Sequence, residues 1–129
     1  MSKFVIDAYA WIEYFDGTEQ GEQVRQIIEN QENSIFTNVI TIAELAGHFK
    51  RKNKDFGEAK KIMLSLSSFY PIEFEFAEEA GVLHTILKKE RKNIGLADII
   101  VLLTARKINA KVITGDEDFK GLKEVIMIK

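Results

Sequence analysis

Cysteine is absent from the 129 residues, so disulfides, thiolate zinc centres and cysteine nucleophiles are all excluded. Histidine is scarce too: only two are present, and any metal site must be built mainly from oxygen donors, which points to magnesium or manganese. An excess of one charge is missing as well. Against 20 Asp and Glu stand 18 Lys and Arg, a formal −2, so the strong positive field of a nucleic-acid-coating protein is lacking and contact with a polyanion must be local. No run nears the roughly 18 unbroken apolar residues of a membrane span. The opening MSKFVIDAY enters a strand-like segment rather than a charged leader, so a cytoplasmic protein with no membrane partner is expected. What is present is 46% hydrophobic residues, enough for the core of one domain over residues 1–129.

The apolar pattern alternates between strands and helices. Lys3 to Ile6 reads as a buried strand ending at Asp7, followed by a helix through Trp11 and Phe15 that breaks at Asp16-Gly17. A helix from Gly21 to about Gln31, a strand over Ser34–Thr37 and a helix opened by Thr41 come next. Another helix fits Asp55 to Ser68, and the one proline, Pro71, places an edge strand at Tyr70–Glu73. Phe76, Ala80, Leu83 and Leu87 step at helical spacing, and Leu96–Asn109 is apolar nearly all round, which marks a buried helix. Strands at Lys111–Thr114 and Val125–Ile128 flank a loop with room for one helical turn. Such alternation predicts an α/β fold, a mostly parallel sheet with helices on both faces.

Four acids stand among apolar neighbours: Asp7 after Phe-Val-Ile, Glu44 within Ile-Ala-Glu-Leu, Asp98 before Ile-Ile-Val-Leu-Leu, and Asp116 after Val-Ile-Thr-Gly. A carboxylate in such company stays ionised only if hydrogen bonds, a cation or a metal replaces its lost water. Each also has a structural role open to it. Asp7 can cap a helix; Thr41 and Glu44 fit a capping box; Asp98 suits the first turn of a helix; Asp116 and Asp118 suit a tight turn. Taken together they gain weight, because all strand C-termini of a parallel sheet share one edge, where ligands bind. His48, four residues after Glu44, offers a weaker Glu/His pairing, and His84 has less context still. Basic groups at Lys50-Arg51-Lys52 and around Arg91 fall near helix ends, where cations are favoured whatever the function.

The segments Phe4-Val-Ile-Asp7-Ala, Thr41-Ile-Ala-Glu44-Leu, Gly95-Leu-Ala-Asp98-Ile and Val112-Ile-Thr-Gly-Asp116-Glu-Asp118-Phe119 resemble, in order and spacing, the motifs of PIN-domain nucleases. The short chain looks like the VapC toxins of toxin–antitoxin pairs. The resemblance implies a twisted sheet of the PIN type, usually a homodimer, and an endoribonuclease dependent on Mg2+ or Mn2+, with a small antitoxin as partner. By position it makes Asp7, Glu44, Asp98 and Asp116 the catalytic, metal-binding acids. Asp118 is a further metal ligand, a ligand-orienting group or a turn cap, and Thr114 a supporting hydroxyl. Lys50, Arg51 and Arg91 are candidate RNA contacts beside the acids. One position departs: Tyr9 stands where the family often has Ser or Thr, so a minor polar contact is expected to be missing. Tyr9 also removes the second Asp that a haloacid-dehalogenase-type phosphatase requires, and no acidic pair follows the first strand as in a receiver domain. A housekeeping RNA-processing nuclease and an inactive PIN-like scaffold stay open as alternatives.

Overall fold

The computed structural model describes residues 2–129. Strand β1 (Ser2–Ile6) ends at Asp7, whose extended backbone and side-chain oxygen, accepting from the Ala10 amide at 2.8 Å, start helix α1 (Ala8–Asp16). Gly17, in the left-handed region at φ 66°, ends that helix by donating to the carbonyls of its last turn. Thr18 caps α2 (Glu19–Ile28), which lies directly on α1 because Gly21 has no Cβ to strike the Glu13 carbonyl. Strand β2 (Asn33–Asn38) runs into α3 (Val39–Arg51). The remaining elements are α4 (Gly57–Leu66), β3 (Ser68–Tyr70), α5 (Phe74–Lys88), α6 (Leu96–Ile108), β4 (Lys111–Thr114), a 3-10 turn at Glu117–Phe119 and β5 (Val125–Met127).

All five strands are parallel, in the order β3-β2-β1-β4-β5. The chain winds outward from β1 through β2 and β3 on one side, and through β4 and β5 on the other. The order therefore reverses between β1 and β4, which opens a crevice at their C-terminal ends. Alternation along the strands divides the core. Ile6, Ile35 and Ile113 pack with Trp11, Leu45 and Met63 on the face covered by α1 to α4, whereas Val5 and Val112 pack with Val101 and Leu102 of α6. Helix α6 is buried from Ile99 to Ala105 because the sheet lies on one side and α5 on the other. The α/β sheet with helices on both faces is as expected, and it is wholly rather than mostly parallel. Among the described residues, no helix is long and apolar enough to cross a membrane.

Two local expectations change. The helix carrying Glu44 is capped by Asn38, not Thr41: the Asn38 side chain accepts from the Ile40 amide at 2.8 Å and donates to Thr104 at 2.9 Å. Glu44 thus lies beyond the first turn and has no part in a capping box. The edge strand precedes Pro71 rather than containing it, as a residue lacking an amide donor favours. Trp11 is fully buried in the core and donates to Thr37 at 3.1 Å.

Thr41 Oγ1 is buried without a protein partner, which makes the cap assignment testable. Thr41→Val removes an unsatisfied hydroxyl at nearly constant shape, and urea unfolding should show neutrality or a gain of about 1 kcal/mol. A loss of about 0.5–2 kcal/mol would restore Thr41 as the cap.

Candidate active site

The crevice between β1 and β4 is closed by a chain of hydrogen bonds centred on Thr114, the last residue of β4. Its buried hydroxyl donates to Asp7 Oδ2 and accepts from the Asp116 amide at 3.0 Å, tying the end of β1 to the loop after β4. Asp7 is itself buried and spends its other oxygen on α1. Asp116 accepts from the Asp118 amide at 2.9 Å and so shapes the 3-10 turn. Asp98, at the third position of α6, accepts from the Gly95 amide at 2.9 Å. Capping and clustering are therefore not rival roles for these acids: the backbone bonds that start α1, α6 and the turn are what aim the carboxylates.

Oxygens of Asp98, Asp116 and Asp118 all lie within 4.8 Å of one another. The tight group thus includes Asp118, the acid the sequence ranked last, whereas Asp7 joins through Thr114 and Glu44 through its field. Burial pushes Asp7 up to a pKa of about 7, against the Thr114 and Ala10 hydrogen bonds, and the charges of Asp98 and Asp116 add to the rise. Glu44, an exposed residue on α3, is raised first by partial desolvation of its carboxyl and then by Asp98 and Asp116. Asp98 is raised by burial, opposed by the Gly95 hydrogen bond, raised further by Asp116 and Asp118, and eased by His84. Asp118 is raised by desolvation and by Asp116. The acids form one repelling electrostatic unit.

Such a unit fits a hard divalent cation. The donors are carboxylate oxygens, and their spacing needs only small side-chain movements to reach the roughly 2.0–2.6 Å bonds of magnesium or calcium-like ions. Neither histidine belongs to the group. His84 Nε2 faces the Ile94 carbonyl at 3.0 Å, and His48 packs beside Phe49 in a separate depression with Phe15.

The basic candidates are placed differently from one another. Lys50 and Arg51 are exposed in the last turn of α3, and Arg51 lies back over Gly47, on the helix face that leads to Glu44. Arg91 is engaged: its guanidinium donates to the carbonyls of Asp118 at 3.1 Å and Lys120 at 2.7 Å, bracing the loop that carries Asp118. That brace, the approach of His84 to Asp98 and the packing of Tyr9 on Gly115 have no local sequence signal, because each joins segments distant along the chain.

The PIN domain family model matches residues 4–125, and the chain belongs to that family. No curated protein matches it by sequence. Solved structures show the same fold. A chain of a toxin–antitoxin complex from Klebsiella pneumoniae is 24% identical, with a TM-score of 0.74 and 97% of each chain covered. A chain of VapBC2 from Rickettsia felis, bound to a promoter DNA fragment, is 20% identical at a TM-score of 0.72, over 97% of this chain and 96% of that one. VapC20 from Mycobacterium tuberculosis, described as a sarcin–ricin loop cleaving toxin, is 11% identical at a TM-score of 0.73, over 93% and 95%.

The raised Asp7 pKa fixes a sign. With a folded value of about 7 against about 3.9 unfolded, the protonated carboxyl stabilises the fold fully below the unfolded value, and that contribution is lost as pH rises through 7. In chelator, the melting temperature should therefore fall between about pH 6 and about pH 8, and Asp7→Asn should flatten the fall. A metal-free protein that melts higher at the alkaline pH, with the mutant showing the same slope, would contradict the assignment.

Proposed function

We propose that the chain is a metal-dependent endoribonuclease hydrolysing RNA phosphodiester bonds, and that it serves as the toxin of a toxin–antitoxin pair. The observation that carries this reading is the convergence of acids from four separate segments on the crevice where strand order reverses, with no Lys or Arg salt bridge to any of them among the described residues. PIN-family membership supports it. So does the likeness of the fold to a toxin described as cleaving the sarcin–ricin loop and to toxins in complex with antitoxins.

Asp98, Asp116 and Asp118 would hold magnesium or manganese, with Asp7 and Glu44 adding charge around them. Metal at such a site supplies Lewis-acid polarisation of the phosphate and a lowered pKa for an attacking water. The protein's own residues do the positioning. Thr114 fixes Asp7 against the Asp116 loop, the Gly95 amide orients Asp98, and Arg91 holds the backbone at Asp118. No side-chain nucleophile is needed. Lys50 and Arg51, at the end of the helix bearing Glu44, offer contacts for phosphates on either side of the cut.

An antitoxin has an apolar place to lie. A depression of about 270 Å³ between α3 and α4, lined by Ile42, Phe56, Met63 and Leu64, begins half a turn before Glu44. A homodimer is supported by α5, which exposes Phe74, Val82 and Ile86 at intervals of four or eight residues. We place this activity in the cytoplasm, where RNA substrates are found.

Purified protein should cut RNA in manganese or magnesium and lose all cutting in excess EDTA. Asp116→Asn should lower the rate by at least about a hundred-fold while keeping the wild-type circular dichroism, since removing a ligand forfeits several kcal/mol of charge stabilisation. Full cleavage in EDTA, or full activity in the folded mutant, would overturn the proposal.

A further inference from the structure

Tyr9 occupies the wall of the crevice without taking part in the carboxylate group. It lies on the first turn of α1, two residues after Asp7, and the Cδ1–Cε1–Cζ edge of its ring rests so closely on Gly115 that a Cβ there would overlap it. Gly115 directly precedes Asp116. The ring therefore bridges the two loops, after β1 and after β4, that frame the reversal point of the sheet. Its hydroxyl donates to Gln20 Oε1 at 3.0 Å on α2, so the ring is fixed at its outer end as well. Despite both anchors, Tyr9 remains 37% exposed. Phe74 is the other aromatic among the exposed large apolar residues described, and it begins α5.

A partly exposed aromatic ring, held at two points beside a carboxylate site that would take a phosphate, has a specific chemical use. The acids repel an RNA backbone, so binding must draw on something besides charge. Stacking of an unpaired base on an aromatic face is worth enough to do this, and it tolerates any base. A base inside an A-form duplex cannot present its face in that way. We propose that Tyr9 is a stacking platform for the nucleobase next to the phosphate that enters the carboxylate site. The inference rests on the ribonuclease reading above, and Gln20 is the residue that holds the platform in place.

The test uses a short oligouridylate carrying iodouridine, bound to the full chain with calcium and irradiated, after which the crosslinked peptide is mapped. Crosslinking at Tyr9 is expected. In parallel, Tyr9→Leu should raise KM for single-stranded RNA by about ten-fold with kcat within about three-fold, and Tyr9→Phe, which keeps the ring, should recover most of the loss. Manganese affinity measured calorimetrically on Tyr9→Leu should match wild type, because the ring serves RNA and not the metal. Wild-type KM in Tyr9→Leu, a crosslink confined to other residues, or a fall in manganese affinity that parallels KM would each overturn the platform, the last by reducing Tyr9 to a support for the Asp116 loop. Wild-type protein that neither binds nor cuts RNA would instead sink the ribonuclease reading, and this inference with it.

Discussion

Carboxylates that repel one another are held together at one edge of the sheet, and the rest of the molecule is arranged around that constraint. In water, two unit charges 4 Å apart repel by about 1 kcal/mol, and by roughly 4 at the effective dielectric near a protein surface. Asp98, Asp116 and Asp118 lie at such range, with Asp7 and Glu44 inside the same field. Nothing in the side-chain chemistry of these acids favours the arrangement. It persists because Asp7, Asp98 and Asp116 each accept from a nearby backbone amide, and because the hydroxyl of Thr114 joins two of the segments. The buried core beneath offsets the cost: Ile6 and Ile113 on one face of the sheet, Val5, Val112 and the apolar surface of α6 on the other.

The same hydrogen bonds explain why structural and chemical readings of these acids look interchangeable in the sequence. An aspartate that caps a helix after a strand sits, in a parallel sheet, on the ligand-binding edge. Asp7 caps α1 with one oxygen and accepts from Thr114 with the other, and Asp98 closes the first turn of α6 while contributing an oxygen to the cluster. A pattern that signals a helix start therefore signals position as well. Only the assembly of several such starts at one reversal point separates a site from ordinary capping.

Much of the fold was legible because it depends on local periodicity. The strands ending at Asp7 and Thr114, the all-round apolar α6 and the edge strand near Pro71 follow from side-chain patterns within a few residues. Local patterns say little where long-range contacts decide. Thr41 and Glu44 match a capping box, but Asn38, bonded to Thr104 across the fold, starts the helix earlier. Asp118 stays open between metal ligand, ligand-orienting group and turn cap in the sequence, because its approach to Asp98 requires α6 and the Asp116 loop to meet. Arg91 looked like a free cation at a helix end; its carbonyl partners lie in that same loop. The family motifs supplied the positions of the acids, and the three-dimensional arrangement supplied their spacing.

A manganese-soaked crystal, examined by anomalous scattering, addresses the central claim that these carboxylates form one cation site. The account predicts a strong anomalous peak bonded to Asp98 and to Asp116 or Asp118, with Asp7 still held by Thr114 beside it. A crystal saturated with manganese that shows no peak in the β1/β4 crevice, or shows its strong peaks only elsewhere, would contradict the account.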